Sequence, residues 1–205
     1  MKVFIKTSQI VVIALSLTLV GNASEVKTEL TQPLISYTSS DKATGDVKVV
    51  YAEIKKAWGM VPEPMKALSL NPKLLRNQWE FYKTIGENKN LDPKMGTMMR
   101  YLIAEQHQCK FCIGFNKGML LNMFKLSLKE VEALEKDPSS AKLDDKQKEM
   151  LLFMLKSTSK PHDVNKKDIA KLKKLGWSEK DIMEGAKEAM DMVATSLFID
   201  TFKIL

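Results

Sequence analysis

From Asp46 to the C-terminus, apolar residues recur at three- and four-residue spacing in one segment after another, and no stretch shows the sustained period-two alternation of a hairpin. That pattern predicts an all-α fold, a single multi-helix domain over residues 46–205, with roughly 160 residues from which to bury a core. Val47, Val50, Tyr51, Ile54 and Trp58 mark a helix stopped by Gly59, and Met65 to Leu70 a short one. Asn71-Pro72 opens the next, with Leu74, Leu75, Gln78, Trp79 and Tyr82 as its buried stripe. Asp92-Pro93 is an N-cap followed by proline at the first helical position. Met95, Met98, Met99, Leu102 and Ile103 give that helix a continuous apolar face. Gly114 to Phe124 reads as helical, and Ser127 with Glu130, Asp144, and Asn165 start further helices. Ser178 with Asp181 starts the last and longest, which carries Ile182, Ala186, Ala189, Met190, Val193, Leu197 and Phe198 inward.

The helical part has a different kind of sequence in front of it. Residues 1–23 combine Lys2 and Lys6 with an eleven-residue apolar run, Ile10 to Val20, and a small-x-small ending at Gly21, Asn22, Ala23. This is the pattern of a cleavable signal peptide, since a spanning helix needs about 20 apolar residues. The expectation is a periplasmic or secreted protein with no membrane span after cleavage. Residues 24–45, rich in Ser and Thr, read as an extended lead-in. The formal charge of +7 comes from 32 basic and 25 acidic residues, and two of the basic ones are Lys2 and Lys6. What remains is dispersed along helices, which argues against a nucleic-acid partner.

Only two cysteines are present, Cys109 and Cys112, in the run Glu105-Gln-His107-Gln-Cys109-Lys110-Phe-Cys112-Ile113-Gly-Phe-Asn116. Two cysteines one turn apart at a helix start can close a small disulfide, and a helix N-terminus with a nearby lysine favours the thiolate. A thiolate attacks peroxides and disulfides, and a neighbouring thiol resolves the product. In an oxidising compartment this spacing also admits a permanent structural disulfide, an inert pair, or half of a zinc site completed by His107 and His162. Ile113 in place of histidine excludes c-type haem attachment. Glu105 lies four residues before Cys109, on the same face if the helix continues that far. His107 is suited to proton transfer. Asn116, one turn after Cys112, can offer a hydrogen bond to its sulfur.

These residues, together with Leu175-Gly176-Trp177-Ser178 and the long final helix, resemble the alkylhydroperoxidase D-like proteins of the carboxymuconolactone decarboxylase superfamily. The resemblance spans roughly residues 46–205, and its specific part is about thirteen residues around the cysteines. It implies an all-helical fold, assembly as a trimer or hexamer, and thiol-dependent peroxidase chemistry. In that scheme Cys112 becomes the sulfenic acid, while Cys109 donates a proton and closes the disulfide. The chain departs from the pattern twice. Active members carry a histidine four residues after the second cysteine, where this chain has Asn116, and a glutamate twelve residues before the first, where it has Thr97. Glu105 and His107 are the nearby candidates to replace that relay.

The remaining patterns add no cofactor and no metal: the thirteen methionines occupy apolar stripe positions, and no glycine-rich phosphate loop appears. The sequence therefore predicts an exported thiol oxidoreductase acting on a small hydroperoxide or a partner thiol, with Cys109, Cys112, Glu105, His107 and Asn116 as its site. The competing reading is a non-enzymatic, oligomeric helical binding protein in which Cys109–Cys112 is a permanent disulfide.

Overall fold

The computed structural model describes residues 32–204, so the expected signal peptide and residues 24–31 of the lead-in lie outside the described residues. Among the described residues there are nine α-helices and no strand. They are α1 (Gly45–Trp58), α2 (Glu63–Ala67), α3 (Pro72–Glu87), α4 (Pro93–His107), α5 (Lys110–Asn122), α6 (Leu128–Lys136), α7 (Asp145–Ser159), α8 (Lys166–Lys174) and α9 (Glu179–Phe202).

Local chemistry sets most of these boundaries. The side chains of Asn71, Asp92 and Asp144 accept backbone N–H groups of the first turns of α3, α4 and α7. Those donors would otherwise have no intrahelical partner. Ser127 with Glu130, Asn165 with Asp168, and Ser178 with Asp181 form reciprocal capping boxes at α6, α8 and α9. Gly59 and Gly176 follow α1 and α8 in the left-handed conformation, at φ +79° and +85°, where a side chain would be strained.

Two apolar cores result. The larger is centred on α4, which packs against α5, α7 and α9 and buries Met95, Met98, Met99, Leu102 and Ile103, the face expected from the sequence. The smaller joins α1 to α3 through Val50, Ile54, Leu75 and Trp79, with Trp58 edge-on to Trp79 at 5.1 Å between ring centroids. Ahead of α1 the chain is irregular but tied down. The Leu34 N–H donates to the Phe202 carbonyl, the Thr38 N–H to Ser69 Oγ, and the Tyr51 hydroxyl to the Thr38 carbonyl, each at 2.9 Å.

Three stripe assignments are corrected. Leu74 is 54% exposed, because on α3 only Leu75 and Trp79 reach the core. On α9, Met190 and Leu197 are 46% and 54% exposed. Ile182 and Ala189 are buried as expected, Ala186, Val193 and Phe198 pack against the core, and the buried face extends to Asp181, Glu184, Gly185, Glu188, Met192, Ser196 and Ile199. The buried face is therefore wider than the apolar stripe and takes in polar positions beside it, while Met190 and Leu197 fall on its outer edge. The difference matters because it places Glu188 and Ser196 inside.

The start of α9 is fixed by a polar cluster. The Asn88 amide donates to Asp181 at 2.8 Å and to Glu184 at 2.6 Å, and the Asn90 amide donates to Asp181 at 3.2 Å. Burial pushes the Asp181 carboxyl up, but hydrogen bonds from Ser178, Asn88 and Asn90 outweigh it and hold the group at about 2. A carboxyl depressed in the folded state contributes stability above its unfolded value of about 4, and that contribution fades as pH falls through about 2. Denaturant unfolding at pH 6 and pH 2.5 should therefore show a smaller acid-induced loss in Asp181→Asn than in the parent. An equal loss in both would contradict this assignment.

Candidate functional site

The site is made by a break between two helices. α4 ends at His107, and Gln108 adopts a left-handed conformation, φ 56°, with its N–H returned to the carbonyls of Ala104 and Glu105. Cys109 then serves as the N-cap of α5, where its sulfur accepts the Cys112 N–H at 3.4 Å and its carbonyl accepts the Ile113 N–H at 2.8 Å. Cys109 and Cys112 are joined as a disulfide with Cα atoms 5.3 Å apart. Both are buried, and Cys112 also receives the Ser196 hydroxyl from α9 at 3.7 Å, a long contact acceptable for sulfur.

The same break separates the expected partners from the sulfurs. Because α4 does not continue through Gln108, the four-residue spacing of Glu105 and Cys109 does not place them on one face. Glu105 turns toward Tyr101, a buried residue whose hydroxyl donates to Glu135 at 2.8 Å. Burial, then the carboxylates of Glu135 and Glu105, push the Tyr101 phenol far up. Glu105 makes no hydrogen bond to either cysteine among the described residues, and neither does His107, half-buried at the last position of α4. His162 is exposed on the turn Pro161–Asp163, well separated in sequence from the pair. Lys110 opens α5 with its side chain exposed.

Asn116 is part of the site, although it does not bond the sulfur. Its amide donates to the Cys112 carbonyl at 2.9 Å, and its Oδ1 accepts from Arg100 Nε at 3.3 Å. Arg100 Nη2 donates to Thr97 Oγ1 at 2.8 Å, and Arg100 Nη1 pairs with Glu188 at 2.5 Å. Thr97 and Asn116, the two positions at which the chain departs from the family pattern, are thus bridged by one guanidinium. A carboxylate from α9 completes the group. Sequence reasoning missed Arg100, Glu188 and Ser196. For the latter two the available signal was polarity within the inward row of α9.

No protein-family model matches the sequence, and no curated protein matches it. Solved structures do. One is an uncharacterised peroxidase-related protein from Silicibacter sp. TM1040, 20% identical, with a TM-score of 0.70 over 84% of this chain and 91% of that one. Another, described as an alkylhydroperoxidase AhpD core and an uncharacterised peroxidase-related protein, comes from Ralstonia eutropha JMP134. It is 18% identical, with a TM-score of 0.71 and the same coverage of both chains. The described residues therefore have the alkylhydroperoxidase D-like fold, as the sequence resemblance implied. The close cysteine pair on that fold fits a redox role.

Proposed function

We propose that this chain is an exported thiol oxidoreductase that reduces small hydroperoxides through Cys109 and Cys112. The observation that carries the reading is the placement of both sulfurs in the first turn of α5, with Cys109 as N-cap and a hydroxyl donor on Cys112. Helix N-terminal dipoles and hydrogen-bond donors both favour the thiolate over the thiol. In the reduced pair the Cys112 thiolate attacks the hydroperoxide, forming an S–O bond as the O–O bond breaks. The alkoxide leaves and takes a proton to become the alcohol. The Cys109 sulfur then attacks the sulfenic sulfur, forming the disulfide as the S–O bond breaks and water departs. The pair has lost two electrons to the peroxide, and two equivalents of an external thiol restore it. The Cys109 thiol, whose sulfur already accepts the Cys112 N–H, supplies the proton to the leaving alkoxide in this scheme. The burial of both cysteines favours a small oxidant over a folded protein as the first reactant. Both solved structures cited above are described as peroxidase-related, which supports the same chemistry.

Cysteine variants separate the roles. In the purified mature protein Cys112→Ser should abolish hydroperoxide turnover, whereas Cys109→Ser should react once and accumulate a sulfenic acid trapped by dimedone. Trapping in Cys112→Ser instead would reverse the roles. Absence of any peroxide-dependent change in thiol count would favour the permanent disulfide of a binding protein.

We also infer that the chain self-associates through α9. Met183, Met190 and Leu197 recur every seven residues along it and stand 58%, 46% and 54% exposed. An apolar seam at that spacing is what a second helix packs against. Sedimentation equilibrium should give a trimer or hexamer for the parent and a smaller species for Met190→Glu. Identical masses would contradict that interface.

A further inference from the structure

The Arg100–Glu188 pair lies at a depth where ion pairs are expensive, with side chains 28% and 10% exposed. Such a pair is weak evidence for stability, because well-packed apolar residues can do as well in its place. Three observations tie it to the thiol site. α4 keeps a glycine at position 96, in its interior, although glycine is a poor helix former. A Cβ there would lie 3.3 Å from Arg100 Nη1 and 3.4 Å from Glu188 Oε1, so the missing side chain is the room that the pair occupies. The guanidinium is also held on a third side by Thr97. Finally, arginine has only donors, so its contact with Asn116 fixes the carboxamide with oxygen toward Arg100 and nitrogen toward the Cys112 carbonyl.

We propose that Arg100, seated by Glu188 and Gly96, is the positioning residue of the cysteine pair: it orients Asn116 against Cys112 and supplies the positive charge that favours the Cys112 thiolate after reduction. The inference rests on the dithiol reading given above. When the reduced Cys112 ionises, the proton goes to solvent and the electron pair stays on sulfur, where the guanidinium, linked to the Cys112 backbone through Asn116 and paired with Glu188, lowers its energy. The charged and titratable groups around this turn are Arg100, Tyr101, Glu105 and His107 on α4, Lys110 on α5, Glu135 on α6, where it accepts from Tyr101, and Glu188 on α9. α6, which also packs against α5, contributes buried Val131 and Leu134. Of these charged groups Arg100 contacts Asn116, and Glu188 contacts Arg100.

The test uses the mature full-length protein in a Cys109→Ser background, with the pH profile of Cys112 alkylation by iodoacetamide as the readout. Arg100→Met should raise the thiol pKa by about one unit, slowing alkylation below the pKa about tenfold. Arg100→Lys keeps the charge but not the fork, and should recover all but about threefold of the rate. Gly96→Ala deletes no charge and favours the helix, so it keeps the test informative if Arg100→Met does not fold. It should displace the pair and slow alkylation about threefold without lowering unfolding stability. A purely structural role predicts lower stability with an unchanged pH profile. Arg100→Met and Gly96→Ala titrating like the parent would overturn the proposal. Parent thiols that alkylate but never form the disulfide with hydroperoxide would instead sink the dithiol reading, while the pH profiles still decide the role of Arg100.

Discussion

The site depends on one backbone turn. A single residue, Gln108, leaves the helical region, ending α4 and restarting the chain as α5 with a sulfur at the N-cap. A non-glycine residue in the left-handed conformation costs on the order of 1 kcal/mol, so the surrounding packing has to hold it there. α4 provides that packing as the central helix of the larger core, gripped by α5, α7 and α9. Had the helix run on through position 108, Glu105 and Cys109 would share a face and Cys109 would have no cap to fill. The turn therefore determines both what the sulfurs touch and which expected partner they lose.

At the two positions where the chain departs from the pattern it resembles, the neighbouring groups come from a distance. Thr97 and Asn116 are too weakly ionisable to carry protons, but the space between them holds a guanidinium, and the carboxylate that steadies it comes from a helix 88 residues further on. α9 also presents Ser196 to Cys112. The guanidinium thereby joins Thr97, Asn116 and Glu188 beside the cysteine turn. Closing a loop of four residues would limit the unfolded chain by only about 2 kcal/mol in the loop-entropy picture, a modest gain for a bond between two buried sulfurs. Redox chemistry gives that placement a better reason than stapling does.

Much of the fold was legible because its punctuation is local. Asn71, Asp92, Ser127, Asp144, Asn165 and Ser178 announce helix starts by side-chain chemistry within three residues, and the structure uses each of them. Two positions of α9 were misread, and two polar ones missed, for a physical reason. Met190 and Leu197 look like core residues, whereas Glu188 and Ser196 look like surface, and periodicity cannot tell an apolar seam facing solvent from one facing the core. The cysteine pair was visible as a short motif, and Thr97 and Asn116 were visible as departures from a pattern. Arg100 and Glu188 were not, because their meeting depends on the packing of α4 against α9. Gly96, a glycine within an otherwise apolar helical face, was the local trace that their meeting left in the sequence.

The proposed chemistry requires Cys109 and Cys112 to be a working dithiol rather than a permanent bond. Intact-protein mass spectrometry of the reduced, folded protein, mixed with one equivalent of a small hydroperoxide, tests this directly. The prediction is a chain that keeps its helical circular dichroism when reduced, then loses the mass of two hydrogens and both free thiols as one equivalent of alcohol appears. A protein that unfolds on reduction, or one whose two thiols persist unchanged in the presence of hydroperoxide, would contradict it.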